Sequence, residues 1–245
     1  MRALRILLIV AVILGGLFAI VDRVAVHFAE GKVADKLKTT ENLATTPDVS
    51  INGFPFLTQV ADGELDDVEI GIKDYEAATG NGGEHVRIDD LHAHMKGVRF
   101  SGDYSSATAA DATGTALITY DELLRKAKSE PTDVGLGVMA RVTGLSDGGN
   151  GKIKVALTIQ APGFKTSKPV SVLSSATVRG NTVQVHADGL PQLPGLQFLE
   201  NRFRTVADFQ QGIARLPGGI RLDRVRATKD GVEITAKGSD VSLAG

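Results

Sequence analysis

The sequence predicts an α+β protein that is mostly antiparallel β, an elongated curved sheet with few helices behind an N-terminal transmembrane helix. Three observations carry this reading: an uninterrupted apolar run near the N-terminus, repeated period-2 alternations through the body, and glycine-containing turns between them. Composition agrees, since 42% of the 245 residues are hydrophobic and 23% are charged, too apolar for a disordered chain.

The apolar run extends from Leu4 to Val21, 18 residues whose one charge, Arg5, lies near an end where it can snorkel to the interface. Thirteen of those positions are Leu, Ile, Val or Phe. At about −0.3 to −0.6 kcal/mol each they favour insertion by roughly 4–8 kcal/mol, before Arg5 and two glycines are subtracted. Arg2 and Arg5 keep the N-terminus cytoplasmic and send the rest of the chain outward. A cleaved signal peptide is the rival, but its apolar core is usually shorter and no A-x-A site follows here. The expected organisation is therefore a signal anchor over residues 1–23, a helical stalk over 24–46 and a β-rich body over 47–245. If the signal is cleaved instead, the body is secreted.

In the stalk, Val26, Val33 and Leu37 recur at roughly helical spacing, with Gly31 as a weak point and Asn42 to Pro47 as the stop. Beyond it the period changes to 2. Val68, Ile70 and Ile72 alternate with acids and glycine; Ile153, Val155, Leu157 and Ile159 alternate mainly with polar residues. Val183, Val185 and Ala187 do the same, as do Val232, Ile234 and Ala236. Each run reads as a strand with one apolar face. Turns are expected at Asp62-Gly63, Gly80 to Gly83, Asp147 to Gly149, Gly180-Asn181 and Asp230-Gly231. Phase slips at Asp89-Asp90 and Asp223-Arg224 suggest β-bulges. One internal helix is expected from Tyr120 to Ser129, with Thr119 and Glu122 spaced as a capping box.

Charge and motifs exclude more than they select. The chain has 27 Lys+Arg against 29 Asp+Glu, a net of −2, and no Trp, so a basic nucleic-acid footprint is missing. With no Cys, thiolate chemistry, disulfides and Cys-ligated metals drop out. His92-Ala93-His94, with His85 and Asp89 nearby, is a weak metal element without a defined third ligand, and no metal is expected. Gly135 to Ala140 fits G-x-G-x-x-A, but no acid lies between Asp147 and Asp188 to complete a dinucleotide site. Asp66-Asp67 reads as a solvated acidic pair, not as glycosidase carboxylates. No nucleophile elbow, phosphate loop or zincin motif occurs, so neither catalytic residues nor a cofactor is expected.

The most informative segment is Val49-Ser-Ile-Asn-Gly53-Phe54-Pro55-Phe56-Leu57-Thr58-Gln59. Large apolar residues flank a proline that bars a regular interior strand, so the segment is either a core-plugging bend or an apolar lip at a groove mouth. Together with Leu216-Pro-Gly-Gly-Ile220, Asp230-Gly-Val-Glu-Ile234, Gly238 and Val241-Ser-Leu243, it resembles the LmeA-like phospholipid-binding family of actinobacterial cell-envelope proteins. The resemblance runs from about Pro47 to Leu243 and is strongest at its two ends. It implies a fold like the curved sheets of tubular lipid-binding proteins and a place on the outer side of the plasma membrane. It also implies a link to assembly of mannan-containing envelope glycolipids. From the family motif, Gly53, Phe54, Pro55, Phe56 and Leu57 carry over as a structural and lipid-contact element. Acyl chains are expected against the apolar strand faces, at Ile70, Ile72, Leu157 and Ile159. The partners are then phospholipid and, through Leu4 to Val21, the plasma membrane. The alternatives are a closed, dry structural module of the envelope and an enzyme acting on lipid or glycan.

Overall fold

A single helix, α1, runs from Arg2 to Thr40 in the computed structural model, which describes residues 2–78, 85–103, 106–126, 131–161, 164–165, 169–189, 208–212 and 219–244. Its first half has a mean hydropathy of 2.8 over 18 residues and packs on nothing. The thirteen Leu, Ile, Val and Phe side chains between Leu4 and Val21 are each 42–69% exposed. Burial begins at the next residue, with Asp22, Val26 and Ala34 on the side facing the body. Gly31 does not interrupt the helix.

The described residues beyond α1 are mostly antiparallel strand, 57% of the protein, with two further short helices and a sheet curled into a half-barrel. Sheet A opens with β1 (Asp48–Asn52), followed by α2 (Phe56–Asp62), β2 (Glu64–Ala78), β3 (His85–Phe100) and β4 (Ala107–Thr119). The chain then passes through α3 (Tyr120–Lys126) into sheet B. That sheet contains β5 (Thr132–Gly135), β6 (Val138–Gly149), β7 (Lys152–Ala161), β8 (Phe164–Lys165), β9 (Val170–Arg179), β10 (Thr182–Ala187) and β11 (Phe209–Gly212). It returns to sheet A as β12 (Ile220–Ala227) and β13 (Gly231–Ala244). The strand order in sheet A is β1-β2-β3-β4-β13-β12, so the last strand closes against β4, and sheet B is an insertion between them.

Local chemistry explains most of the differences from the expected elements. The Phe54 to Gln59 stretch holds a helix, α2, and Gly63 ends it in the left-handed region (φ 74°), so Asp62-Gly63 is a helix stop and not a hairpin. Between β6 and β7 the turn is Asn150-Gly151, both at positive φ, as a tight hairpin demands; the glycines just before it lie at a register shift. The expected bulge at Asp223-Arg224 is present between Leu222 and Arg224. At Asp89-Asp90 the β2–β3 register runs on unchanged, and the irregularity is Asp74 in β2, at φ 54°. Thr119 Oγ1 accepts the Glu122 N–H (3.4 Å) at the start of α3, and the Glu122 carboxylate accepts the Arg87 N–H. The expected turn at Gly80–Gly83 and the end of the 120–129 helix lie outside the described residues.

Two cores result. In one, α1 and α2 cover the β1–β4 end of sheet A, burying Val26, Ile51, Phe56, Leu65, Val68 and Met95. In the other, β12 packs on β9, β7 and β6 of sheet B, burying Leu157, Val172, Leu222 and Val225 with Tyr120. The Tyr120 hydroxyl donates to the Thr228 carbonyl (2.7 Å), and burial with the nearby Asp147 charge pushes its pKa up to about 12.

Closure of β13 on β4 depends on backbone contact at Gly231, where a Cβ would lie 2.2 Å from the Ile118 carbonyl oxygen. Gly231→Ala must separate these two strands where the second core begins. It should cost about 1–3 kcal/mol, read as a lower unfolding midpoint by far-UV circular dichroism of the detergent-solubilised chain.

Candidate functional site

Directly opposed residues in an antiparallel sheet share a face, so the register of sheet A lays out its surface. One row reads Val68, Met95, Ala112 and Gly238 from β2 to β13; the next reads Ile70, Ala93, Gly114, Ala236 and Leu222. A third reads Ile72, Leu91, Ala116, Ile234 and Val225. The first row begins beneath α1 and α2, and the other two end beneath sheet B. Between the two covers, Ile70, Ile72, Leu91, Ala93, Gly114 and Ala116 are only half-buried. This is an apolar strip whose middle positions are small, from which we infer a shallow trough between the cores. From β2 to β12 it crosses four inter-strand steps of about 4.8 Å, or about 19 Å.

The opposite face of the same strands is polar. His94 Nε2 lies 2.6 Å from Asp67 Oδ2 and 3.9 Å from Glu69 Oε1, and Asn52 Nδ2 donates to Asp67 Oδ1 (2.9 Å). Burial raises the Asp67 pKa, but the hydrogen bonds from Asn52 and His94, with the His94 and Lys96 charges, prevail and hold it below the usual carboxylate range. Ligand atoms of Asp67, Glu69 and His94 fall within 4.8 Å of one another. One imidazole and two carboxylates suit a divalent cation, but both Asp67 oxygens already accept hydrogen bonds within the protein. His92 pairs separately with Asp90 (3.0 Å), so the two histidines of the H-x-H pair face different carboxylates, and Asp89 instead pairs with Arg87. An open depression of about 330 Å³ here, lined by Glu69, His92, His94, Thr113 and Thr115, has the wrong polarity for an acyl chain.

The motif loop joins this sheet to α1. Asp22, fully buried, accepts the Leu57 N–H through Oδ1 (2.8 Å) and the Arg23 Nη2 through Oδ2 (2.7 Å). Pro55 precedes α2 and offers it no side-chain cap, so a carboxylate from another helix takes up a first-turn N–H. Arg23 also donates to the Gly53 carbonyl (3.0 Å) and lies over the Phe54 ring, 5.4 Å from its centre. Gly53 sits at φ 102°, and a Cβ there would meet the Gln59 side chain at 2.4 Å, which is why glycine opens this turn. Two helical turns further on, Glu30 accepts the outward N–H of Ile51 (2.9 Å) and closes the free edge at β1.

The expected site residues thus occupy three environments. Phe54 and Leu57 project to solvent at 59% and 36% exposure, beside a partly covered Pro55, whereas Phe56 fills the first core. Ile70 and Ile72 lie on the half-buried strip. Leu157 and Ile159, at 1% and 0% exposure, are closed inside sheet B. Sequence reading missed Leu91, Ala93, Gly114 and Ala116, whose place on the strip follows only from strand register, and missed Asp22, which is 35 residues from its partner.

Removing the carboxylate that joins helix and loop leaves the partly buried Leu57 N–H without its acceptor. Asp22→Ala should therefore destabilise the body by about 1–3 kcal/mol, with Asp22→Asn intermediate because one acceptor oxygen remains. Thermal unfolding of the full chain in detergent tests that order.

The family model described as LmeA-like phospholipid-binding matches residues 20–237, from the last turn of the apolar segment through the motif loop and both sheets. No curated protein and no solved structure matches the chain. With most of its length matched, the chain belongs to the LmeA-like phospholipid-binding family.

Proposed function

We propose that this protein is a retained, single-pass membrane protein whose body lies on the extracytoplasmic side and holds a phospholipid acyl chain on the trough of sheet A. The observation that carries the reading is the half-buried strip of Ile70, Ile72, Leu91, Ala93, Gly114 and Ala116 between two covered cores, in a chain of a phospholipid-binding family. The exposed apolar segment from Leu4 to Val21 supports the span, and Arg2 and Arg5 support its orientation.

The mechanism is apolar burial without chemistry. A chain of about 14 methylenes in the trough gains around 11 kcal/mol relative to water at 0.8 kcal/mol per CH₂. Most of that gain is offset when the lipid comes from a bilayer, whose interior is already apolar. Exchange is then close to neutral, as a carrier requires. The head group stays in water at the trough's mouth, with Phe54, Pro55 and Leu57 as the contact element and Phe56 as its anchor in the first core. In the cell such a protein would supply or hold phospholipid for envelope glycolipid assembly. No catalytic group or cofactor is needed for this.

A second reading, a dry structural module of the envelope, is favoured by one observation. Leu157 and Ile159 are closed inside sheet B and present nothing to a ligand. Native mass spectrometry separates the two. Full chain purified in detergent and challenged with phosphatidylglycerol and phosphatidylethanolamine should carry about one lipid per protein. Ala93→Phe, which fills the trough, should keep the far-UV spectrum and lose most of that lipid. A lipid-free mass for the unaltered chain would favour the dry module.

A further inference from the structure

We propose that the loop from Phe54 to Leu57 is an interfacial lip, seated in the head-group zone of the bilayer that α1 crosses, so that the trough opens at the membrane surface. The proposal rests on the reading of α1 as a retained span and deepens it. Leu4 to Val21 rises about 27 Å as a helix, close to the roughly 30 Å of a bilayer's hydrocarbon core. The boundary therefore falls at Asp22, where burial against the body begins.

Asp22 and Arg23 are the residues that hold the loop, through the Leu57 N–H (2.8 Å) and the Gly53 carbonyl (3.0 Å). The loop cannot leave the interface while those bonds stand. What it presents there suits an interface: Phe54 and Leu57 stand exposed, and Phe54 stacks on the Arg23 guanidinium. An aromatic ring with a basic side chain whose stem is apolar is the pairing favoured at head-group depth. The other side of α1 is matched to the same zone. Val24 and Phe28, 65% and 67% exposed, lie away from the buried Asp22 and Val26. Apolar side chains thus face outward on both sides of the helix at this level, interleaved with the exposed Arg23 and His27 and with Lys32 over the Phe28 ring. In water this is an unexplained exposed patch, and at a membrane surface it is covered.

The chain has no Trp, so single substitutions report without background. Full-length Phe54→Trp and Leu57→Trp would be reconstituted into phosphatidylcholine/phosphatidylglycerol vesicles, with and without phosphatidylcholine brominated on its acyl chains. Leu136→Trp, in the β5–β6 turn, reports on bulk water, and Ile72→Trp reports only on lipid held in the trough; circular dichroism confirms that each variant is folded. The expected result is blue-shifted emission at positions 54 and 57, with bromolipid quenching of roughly twofold or more, as for an interfacial aromatic residue. Emission and quenching at both positions like those at Leu136→Trp would overturn the lip. Quenching at Ile72→Trp alone would overturn the lip and leave the lipid-binding reading intact. Quenching at 54 and 57 without any at Ile72→Trp would support the lip alone, because an indole at position 72 itself fills part of the trough.

Discussion

The buried carboxylate of Asp22 joins the two halves of this protein. It is the first residue after the apolar segment, and it meets the Leu57 N–H at the start of α2 and the guanidinium of Arg23. A buried charge is costly unless it is paired and hydrogen-bonded, and both conditions are met here by groups that also define the motif loop. Arg23 extends the contact to Gly53 and Phe54, and Glu30 repeats it at the edge of β1. The second half of α1 is therefore a packed element of the body. Loss of Asp22 would free the loop and weaken the cover over one end of sheet A.

Sheet A depends on that cover. Its apolar face runs without a break from the core beneath α1 and α2 to the core beneath sheet B, and among the described residues neither cover reaches the middle. Small residues at Ala93, Gly114, Ala116 and Ala236 keep the middle shallow in side chains. Larger side chains at these positions would fill the trough and make one continuous core. The polar face, with its His94–Asp67 pair, keeps the same strands soluble on the outside. The sheet thus separates a polar side from an apolar one.

Much of this was legible in the sequence because strand faces follow from period-2 alternation. Val68, Ile70 and Ile72, or Val232, Ile234 and Ala236, declare both their structure and their inward side. Pairing is different. That Ala116 lies beside Ile234, or that sheet B is inserted between β4 and β12, is set by contacts far apart in the chain and leaves no local mark. Helix α2 escaped for another reason: at seven residues, after a proline, it is too short to show a helical period. The Asn150-Gly151 turn was readable in principle, but the neighbouring Asp147-Gly148-Gly149 obscured it. Placing the Phe54–Leu57 segment on α1 required Asp22, whose role as an acceptor for a distant N–H no spacing rule reveals.

The central claim is that a lipid chain lies on sheet A between its two cores. Its most direct test is photocrosslinking of the full chain in vesicles with a phospholipid carrying a diazirine near the acyl terminus, followed by peptide mass spectrometry. The account predicts adducts on peptides that contain Ile70 and Ile72, Leu91 and Ala93, or Gly114 and Ala116, beyond those on the membrane helix. Adducts confined to the segment before Asp22 would contradict it, because the lipid would then be only the solvent of the anchor and not the ligand of the body.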